Sequence, residues 1–266
     1  MNNQQLNVPV HIHGLGGLQI MTAGIPRDGG GLRARKPLEL LMTLVAAGER
    51  GLAHGVLCDL LWPDAAGDAA YRALVTTAYR LRRLLHCQAA VSFAGGRVTL
   101  DSAHCWVDAW AFEQALPACP RRSADAVDGA LAAALALYHG PLFGDAELPQ
   151  VFQARDRLRR KFVRGVLAAG QRYAQDDNLE AAIGLYEQAV DADGGCEELL
   201  RALIVATASI GDTRATTSAY ERCQSFLMTR FGMLPTVATE RAWRESRGLH
   251  AGPRSLAYAA ASLPGA

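Results

Sequence analysis

The sequence predicts two domains, a small α+β domain followed by an all-helical one. Short strand-like runs enclose three helical segments within residues 1–104, whereas residues 105–250 show Ala- and Leu-rich helical periodicity. The chain has 266 residues, which is long for one ordinary domain and accommodates two of about 100 to 150 residues each. Residues 251–266 are mostly Ala, Ser, Pro and Gly with almost no charge, and they are predicted to form a disordered tail.

The N-terminal part is rich in Gly and in short β-type runs. Residues 8–13 and 18–22 favour strands, and residues 27–31 favour a turn. We therefore expect two or three short antiparallel strands. Pro37 follows at a position that the first turn of a helix tolerates, and residues 38–48 have a helical pattern that stops at a glycine.

Two further helices are expected. The first covers residues 55–62 and ends at Pro63, after which residues 64–68 are predicted to form a loop. The next covers residues 74–85, and its apolar side chains recur at the spacing of one helix face. That face comprises Leu74, Ala78, Leu81 and Leu85.

The opposite face of this third helix carries polar side chains at i, i+4, i+7 and i+11, namely Arg72, Thr76, Tyr79 and Arg83. The stretch 69–100 contains five arginines and no Asp or Glu, a local surplus of positive charge that suits a polyanion. Arg and Thr can contact guanine edges or phosphates, and Tyr can contact a backbone oxygen or a thymine methyl. The alternative is a solvated amphipathic helix with no nucleic-acid role.

Residues 91–100 consist of two alternating runs around two glycines, which predicts a β-hairpin. Strands, three helices and a hairpin, in this order, predict a winged helix-turn-helix. In that geometry the third helix enters the major groove of DNA, and Arg97 on the hairpin lies near the neighbouring backbone or minor groove. This context favours the DNA-binding interpretation.

The helical part contains a sequence repeat. A shift of 34 residues superposes Ala168 on Ala202, Ala181 on Ala215 and Tyr186 on Tyr220, and 34 residues is the tetratricopeptide period. The first copy carries small and aromatic residues where paired helices of such a repeat pack closely, at Gly170, Tyr173, Ala182, Tyr186 and Ala189. The second copy departs from this pattern at Thr207 and Thr216. A generic helical bundle is the alternative.

The sequence gives little support for a membrane or secreted protein, a metalloprotein or an enzyme. No apolar run is long enough to span a bilayer and the N-terminus lacks a signal-peptide pattern, so we expect a cytoplasmic protein with no membrane partner. The cysteines are scattered and predicted to be free thiols. His11 and His13 share a strand face without further ligands nearby, and His104 beside Cys105 would point the opposite way on a strand. We expect no metal, no cofactor and no enzymatic activity.

Two further groups of residues have alternative interpretations. The basic run at residues 155–164 fits either a contact with DNA or polymerase or the solvated face of a helix. Trp62, Trp106 and Trp110 could stack on a ligand, but they are more typical of anchors that hold the winged helix against the helical domain.

Several motifs together resemble an OmpR-type winged helix joined to a bacterial transcriptional activator domain, as in SARP and AfsR-like regulators. They are RKPLELLMTLVAAG (35–48), LLWPDAAGDAA (60–70), LVTTAYRLRRLL (74–85), GGRVTLD (95–101), CWVDAWAFE (105–113), ALALYHGPLFGD (134–145), RDRLRRKF (155–162), LEAAIGLYEQAVDAD (179–193) and FGMLP (231–235). The resemblance covers nearly the whole chain.

The resemblance implies a DNA-binding transcriptional regulator, most simply an activator. It implies promoter contacts by Arg72, Thr76, Tyr79, Arg80, Arg83 and Arg97. It also implies a contact with RNA polymerase by the loop that contains Pro63, Asp64 and Asp68, and a tetratricopeptide-like domain that supports homodimerisation or recruits the polymerase. The alternative function is a protein-interaction adaptor whose winged helix does not bind DNA.

Overall fold

The structure, a computed structural model of the chain, describes residues 8–27, 35–116, 124–193 and 195–249. The chain divides into two compact units. The first unit is Met1–Pro120 with Ala136–Arg160, and the second unit is Arg121–Leu135 with Lys161–Ala266. Most of the predicted turn at 27–31 and the whole predicted tail at 251–266 lie outside the described residues.

A four-stranded sheet lies in the first unit. It contains β1 (Val10–His13), β2 (Gln19–Thr22), β3 (Ile25–Arg27) and β7 (Cys105–Val107), in the order β3-β2-β1-β7. The first three strands pair antiparallel, which confirms the prediction for the N-terminus, and β7 pairs parallel to β1. The predicted division between residues 104 and 105 separates β7 from the sheet that it completes. In the prediction β7 thus falls in the second domain, although it pairs with β1 of the first. The domain limits stay a prediction.

Three helices follow the first strands in the predicted order, α1 (Arg35–Ala47), α2 (His54–Leu61) and α3 (Gly67–Leu84). Their apolar faces form one core, with Leu40, Leu44, Leu57, Leu74 and Leu81 fully buried. Burial of apolar area is the main stabilising contribution in such a small core. Thr22 on β2 donates a hydrogen bond to the Leu85 carbonyl at 3.0 Å, which ties the end of α3 to the first sheet.

The predicted hairpin is present as β5 (Val91–Ala94) and β6 (Arg97–Leu100), and the short strand β4 (Leu52–Ala53) pairs with the other side of β6. Gly95 and Gly96 have φ of +57° and +73°. Positive φ at both central residues is the requirement of a two-residue type I′ turn, and glycine adopts it without strain. The predicted winged helix-turn-helix is confirmed.

The helix α4 (Asp108–Ala115) is fastened to the strands and helices that precede it. The buried Asp108 carboxylate accepts hydrogen bonds from the backbone N–H groups of Gly14 and Leu15 at 2.8–3.0 Å. The Trp110 indole N–H donates to the Val45 carbonyl on α1 at 3.0 Å. These contacts join the end of β1, the end of α1 and the start of α4.

The remaining elements are helical, as predicted for this half of the chain. They are α5 (Ala124–Leu137), α6 (Pro149–Gln175), α7 (Leu179–Asp193), α8 (Glu197–Ser209), α9 (Thr213–Phe231) and α10 (Val237–Leu249). The division between the two units falls inside α5 and inside α6. No helix among the described residues is long and apolar enough to cross a membrane.

The helix pairs of the second unit pack as the 34-residue repeat predicts. Tyr186 on α7 is fully buried against Gly170 on α6, where an added Cβ would stand 2.3 Å from the tyrosine ring and hydroxyl. In the second copy, the buried Thr216 hydroxyl donates to the Thr207 hydroxyl at 3.0 Å. The two threonines that break the sequence pattern therefore satisfy each other across the helix pair.

Candidate nucleic-acid interface

Helix α3 presents one buried and one open face. Leu74, Ala78, Leu81 and Leu85 have no exposed surface, as the sequence predicts. The predicted contact residues on the opposite face are all exposed: Arg72, Thr76, Tyr79, Arg80 and Arg83. In the part of the chain that the structure describes, none of these three arginines has a carboxylate partner. The face therefore offers uncompensated positive charge to a ligand.

The start of α3 differs from the prediction. The sequence predicts Asp68 in the loop after α2, but the helix begins at Gly67, with Ala66 in an extended conformation as its N-cap, so Asp68 lies in the first turn. An acidic side chain in the first turn and the basic Arg82 and Arg83 in the last turn both complement the helix dipole. The predicted loop is shorter, and Pro63, Asp64 and Asp68 are exposed.

Neighbouring arginines at the end of α3 have different surroundings. Arg82 donates from Nε and Nη2 to the Val91 carbonyl, at 3.0 and 2.7 Å, and its guanidinium lies 5.6 Å from the Phe93 ring centre. It fixes the helix to strand β5. Arg83 is exposed and remains available to a ligand.

Arg97 on the hairpin is exposed and is held by its own fold. Its Nε donates to the Arg50 carbonyl at 2.9 Å and its Nη2 donates to the Gly51 carbonyl at 2.8 Å. A guanidinium has five N–H donors, so three are left for a further partner. The sequence does not predict these contacts, since they join positions 46 and 47 residues apart.

The first turn of α1 and the first half of α3 enclose a shallow cavity of about 320 Å³, lined among others by Lys36, Trp62, Arg72, Thr76 and Arg80. Lys36 Nζ donates to the Leu61 carbonyl at 2.9 Å, lies 2.8 Å from a Glu39 carboxylate oxygen and stands 5.8 Å from the Trp62 ring centre. Sequence reasoning missed this cavity. The signal available to it was Lys36, one of two lysines in an arginine-rich chain.

Glu39 is a buried carboxylate in this cluster. Burial raises the pKa of the Glu39 carboxyl, but the hydrogen bonds and charges of Lys36 and Arg35 outweigh it, and the pKa lies below its usual value. The carboxylate is therefore ionised near neutral pH and fixes the lysine ammonium in position.

Apolar side chains also lie on the exposed surface of α3. Tyr71 and Val75 are 44% and 43% exposed, one turn apart, and Tyr79 is 52% exposed one turn further. Sequence reasoning identified only Tyr79 of this row. Apolar groups at such positions can contact thymine methyls.

The described histidines and cysteines of the first unit show no metal or nucleophile arrangement. His11 and His13 both contact the Trp106 ring, with centres 5.6 and 5.3 Å apart. Among the described residues, no group of three or more His, Cys, Asp and Glu side chains could hold a metal ion. Burial raises the pKa of the Cys105 thiol to about 12, while the His104 ring bonds Asp101 at 3.0 Å.

The predicted basic run has partners within the first unit. Arg155 donates to the Leu142 and Ala146 carbonyls, Arg157 pairs with Glu113 at 3.0 Å, and Arg160 pairs with Asp156 at 3.0 Å. These contacts occupy three arginines of the run within the protein and favour the interpretation of the run as the solvated face of a helix. Trp62, Trp106 and Trp110 likewise contact residues of this unit.

Comparison with known proteins decides the family. Residues 107–246 match the model of the bacterial transcriptional activator domain. The chain belongs to this family. The predicted resemblance to SARP-like regulators with such a domain is thereby confirmed, and the protein is a transcriptional regulator of the bacterial transcriptional activator domain family.

One solved structure has a similar fold over most of this chain. It is Mycobacterium tuberculosis EmbR in complex with a low-affinity phosphopeptide, with 21% sequence identity and a TM-score of 0.61. The match covers 91% of this chain and 68% of that chain. A search of curated protein sequences found no match.

Proposed function

We propose that the regulator binds promoter DNA by inserting α3 into the major groove, with Arg72, Thr76, Tyr79, Arg80 and Arg83 facing the duplex. The observation that carries this proposal is the exposed cationic face of α3 opposite a fully buried leucine face. In a winged helix-turn-helix, the third helix is the element that enters the groove. Arg97 contacts the adjacent backbone or minor groove with the N–H donors that its carbonyl contacts leave over.

In the same proposal, the protein acts as an activator through the turn between α2 and α3. Pro63 and Asp64 are exposed in this turn, and Asp68 is exposed in the first turn of α3, so two acidic side chains lie on a unit whose DNA-binding face is basic. An acidic surface beside the bound duplex suits a basic partner such as a subunit of RNA polymerase rather than the DNA itself.

The helical second unit supplies a protein-binding surface. Five large apolar side chains are 52–78% exposed within ten residues at the end of α9 and the start of α10, namely Met228, Phe231, Met233, Leu234 and Val237. Exposed apolar patches of this kind mark interaction sites. This segment is the observation that favours an adaptor role as the second candidate function, and in the proposed regulator it serves a second copy or the polymerase.

In vitro selection from a random-sequence duplex pool, performed with the full chain, tests the DNA-binding function. We expect one enriched motif, with affinity that falls steeply as salt rises. The double variant Arg72→Ala with Arg83→Ala should bind that motif more weakly, by about 1 to 3 kcal/mol for each arginine that reads a base and by less for each that meets a phosphate.

Two results would favour the adaptor instead. The first is a pool that shows no enrichment with a folded protein. The second is a double variant that keeps its circular dichroism spectrum, its melting temperature and its affinity for the selected duplex.

A further inference from the structure

We propose that the cavity between α1 and α3 binds one phosphate of the DNA backbone, and that Lys36 is the residue that holds it. This inference rests on the proposed DNA-binding function and adds a site to it. The cavity is an open depression of about 320 Å³, and Lys36, Arg72 and Arg80 are among the residues that line it.

The Lys36 ammonium is placed for this role by three contacts. It donates to the Leu61 carbonyl and to the Glu39 carboxylate, and it faces the Trp62 ring. A lysine ammonium has three N–H donors, so one is left for a ligand. Because the side chain is already ordered, binding a phosphate costs little further side-chain entropy.

The charges around the cavity favour an anion. Arg72 and Arg80 line it together with Lys36, and Arg35 and Lys36 both pair with the Glu39 carboxylate. The residues that line the cavity include three cationic side chains and no carboxylate, so its walls carry a surplus of positive charge. A monoanionic phosphodiester entering the cavity therefore meets net attraction.

The position of the cavity selects a duplex over a free anion. One wall consists of Arg72, Thr76 and Arg80, which also belong to the face of α3 that points at the bases in the proposed complex. A backbone phosphate that flanks the contacted bases reaches this wall when α3 lies in the groove. The cavity then fixes the register of the protein on the duplex, as phosphate contacts do in general.

The test compares Lys36→Met with wild type on the selected duplex, across a range of salt concentrations. We expect about tenfold weaker binding to every sequence tested, as for the loss of one charged hydrogen bond. We also expect a log–log salt slope that is smaller by about 0.9, because the variant neutralises one phosphate fewer. Arg241→Met, which removes one exposed positive charge from the second unit, is the matched control and should leave both values unchanged.

A single neutral methylphosphonate, moved along each strand of the duplex, identifies the phosphate. At one position it should weaken wild-type binding about tenfold, as for the loss of one charged hydrogen bond, and leave the binding of Lys36→Met unchanged. If Lys36→Met fails to fold, Lys36→Gln replaces it, because its shorter side chain keeps a polar N–H donor while the charge is removed.

Three results would overturn the inference. One is wild-type affinity and salt slope in a folded Lys36 variant. Another is a methylphosphonate effect that is the same in wild type and variant at every position. The third is competition by millimolar inorganic phosphate at constant ionic strength, which would assign the cavity to a free anion. Failure of the proposed function looks different, because the wild-type protein itself then selects no duplex, and the inference falls with it.

Discussion

Arg82 and Arg83 are adjacent on α3, yet substitution of each should affect a different property. Arg82 makes two hydrogen bonds to the Val91 carbonyl and lies over the Phe93 ring. A hydrogen bond from a charged group contributes about 1.5 to 3 kcal/mol and an exposed cation–π contact about 0.5 to 1 kcal/mol. Because Arg82 is half-buried, the lower end of each range applies, and Arg82→Ala should cost about 2 kcal/mol of unfolding free energy.

That cost corresponds to a fall in melting temperature of about 4 to 8 °C for a protein of this size. Arg83→Ala removes an exposed side chain and should change the unfolding free energy by no more than about 0.5 kcal/mol. It should instead weaken binding to the selected duplex by about 1 to 3 kcal/mol if Arg83 contacts a base. Arg82→Lys is the control, since it keeps the charge and lacks the planar pair of donors.

Urea denaturation followed by circular dichroism measures stability, and fluorescence anisotropy with the selected duplex measures affinity. An Arg82→Ala variant as stable as wild type would refute the structural role of Arg82. An Arg83→Ala variant that is destabilised as much as Arg82→Ala would refute the separation of the two roles. Full stability in Arg82→Lys would also count against the paired hydrogen bonds, because the stabilisation would then come from charge alone.

Three further predictions concern stability and reactivity. Gly170→Ala should destabilise the second unit by about 1 to 3 kcal/mol, because the new methyl meets the Tyr186 ring. Gly184→Ala, with open space around it, should instead stabilise α7 by about 0.5 to 1 kcal/mol. Thermal melts in which Gly170→Ala is as stable as Gly184→Ala, or more stable, would contradict the packing. Glu39→Gln should be less stable than wild type at pH 7, since a carboxylate with a lowered pKa stabilises the fold above its unfolded-state pKa. The difference should shrink as pH falls through the lower, folded-state pKa. Urea titrations over a descending pH series measure this, and a difference that does not shrink with falling pH speaks against it. Cys105, buried with a pKa of about 12, should resist iodoacetamide at pH 8 in the native protein and react after unfolding. Peptide mapping by mass spectrometry measures the alkylation. Alkylation of Cys105 in the native protein before that of the half-buried Cys87 would disprove its burial.

The sequence predicts the elements whose patterns are local. The structure confirms three such patterns. They are the leucine spacing of α3, the glycine pair at the turn of the hairpin and the 34-residue repeat of the helical part. The pairing of β7 with β1 has no local signal, because three residues pair with a strand more than 90 positions earlier. Only the fold brings such segments together.

The same limit applies to the candidate site. The exposed face of α3 follows from helical periodicity, so the sequence identifies Arg72 and Arg83 as open to solvent. Periodicity cannot show that Arg82 bonds a carbonyl of the next strand or that Arg97 bonds two carbonyls from the segment before β4. Nor can it place Lys36 beside α3, since that contact depends on how α1 and α3 pack.

Dimethyl sulfate interference on the selected duplex tests most directly whether α3 lies in the major groove. The reagent methylates guanine N7, which faces the major groove, and adenine N3, which faces the minor groove. Guanine methylation within the motif should block binding of the wild-type protein. At one or more of these guanines, methylation should no longer weaken the binding of the Arg72→Ala or the Arg83→Ala variant. Interference confined to adenine N3 would contradict insertion of α3 into the major groove, and interference identical in wild type and both variants at every guanine would contradict base contacts by Arg72 and Arg83.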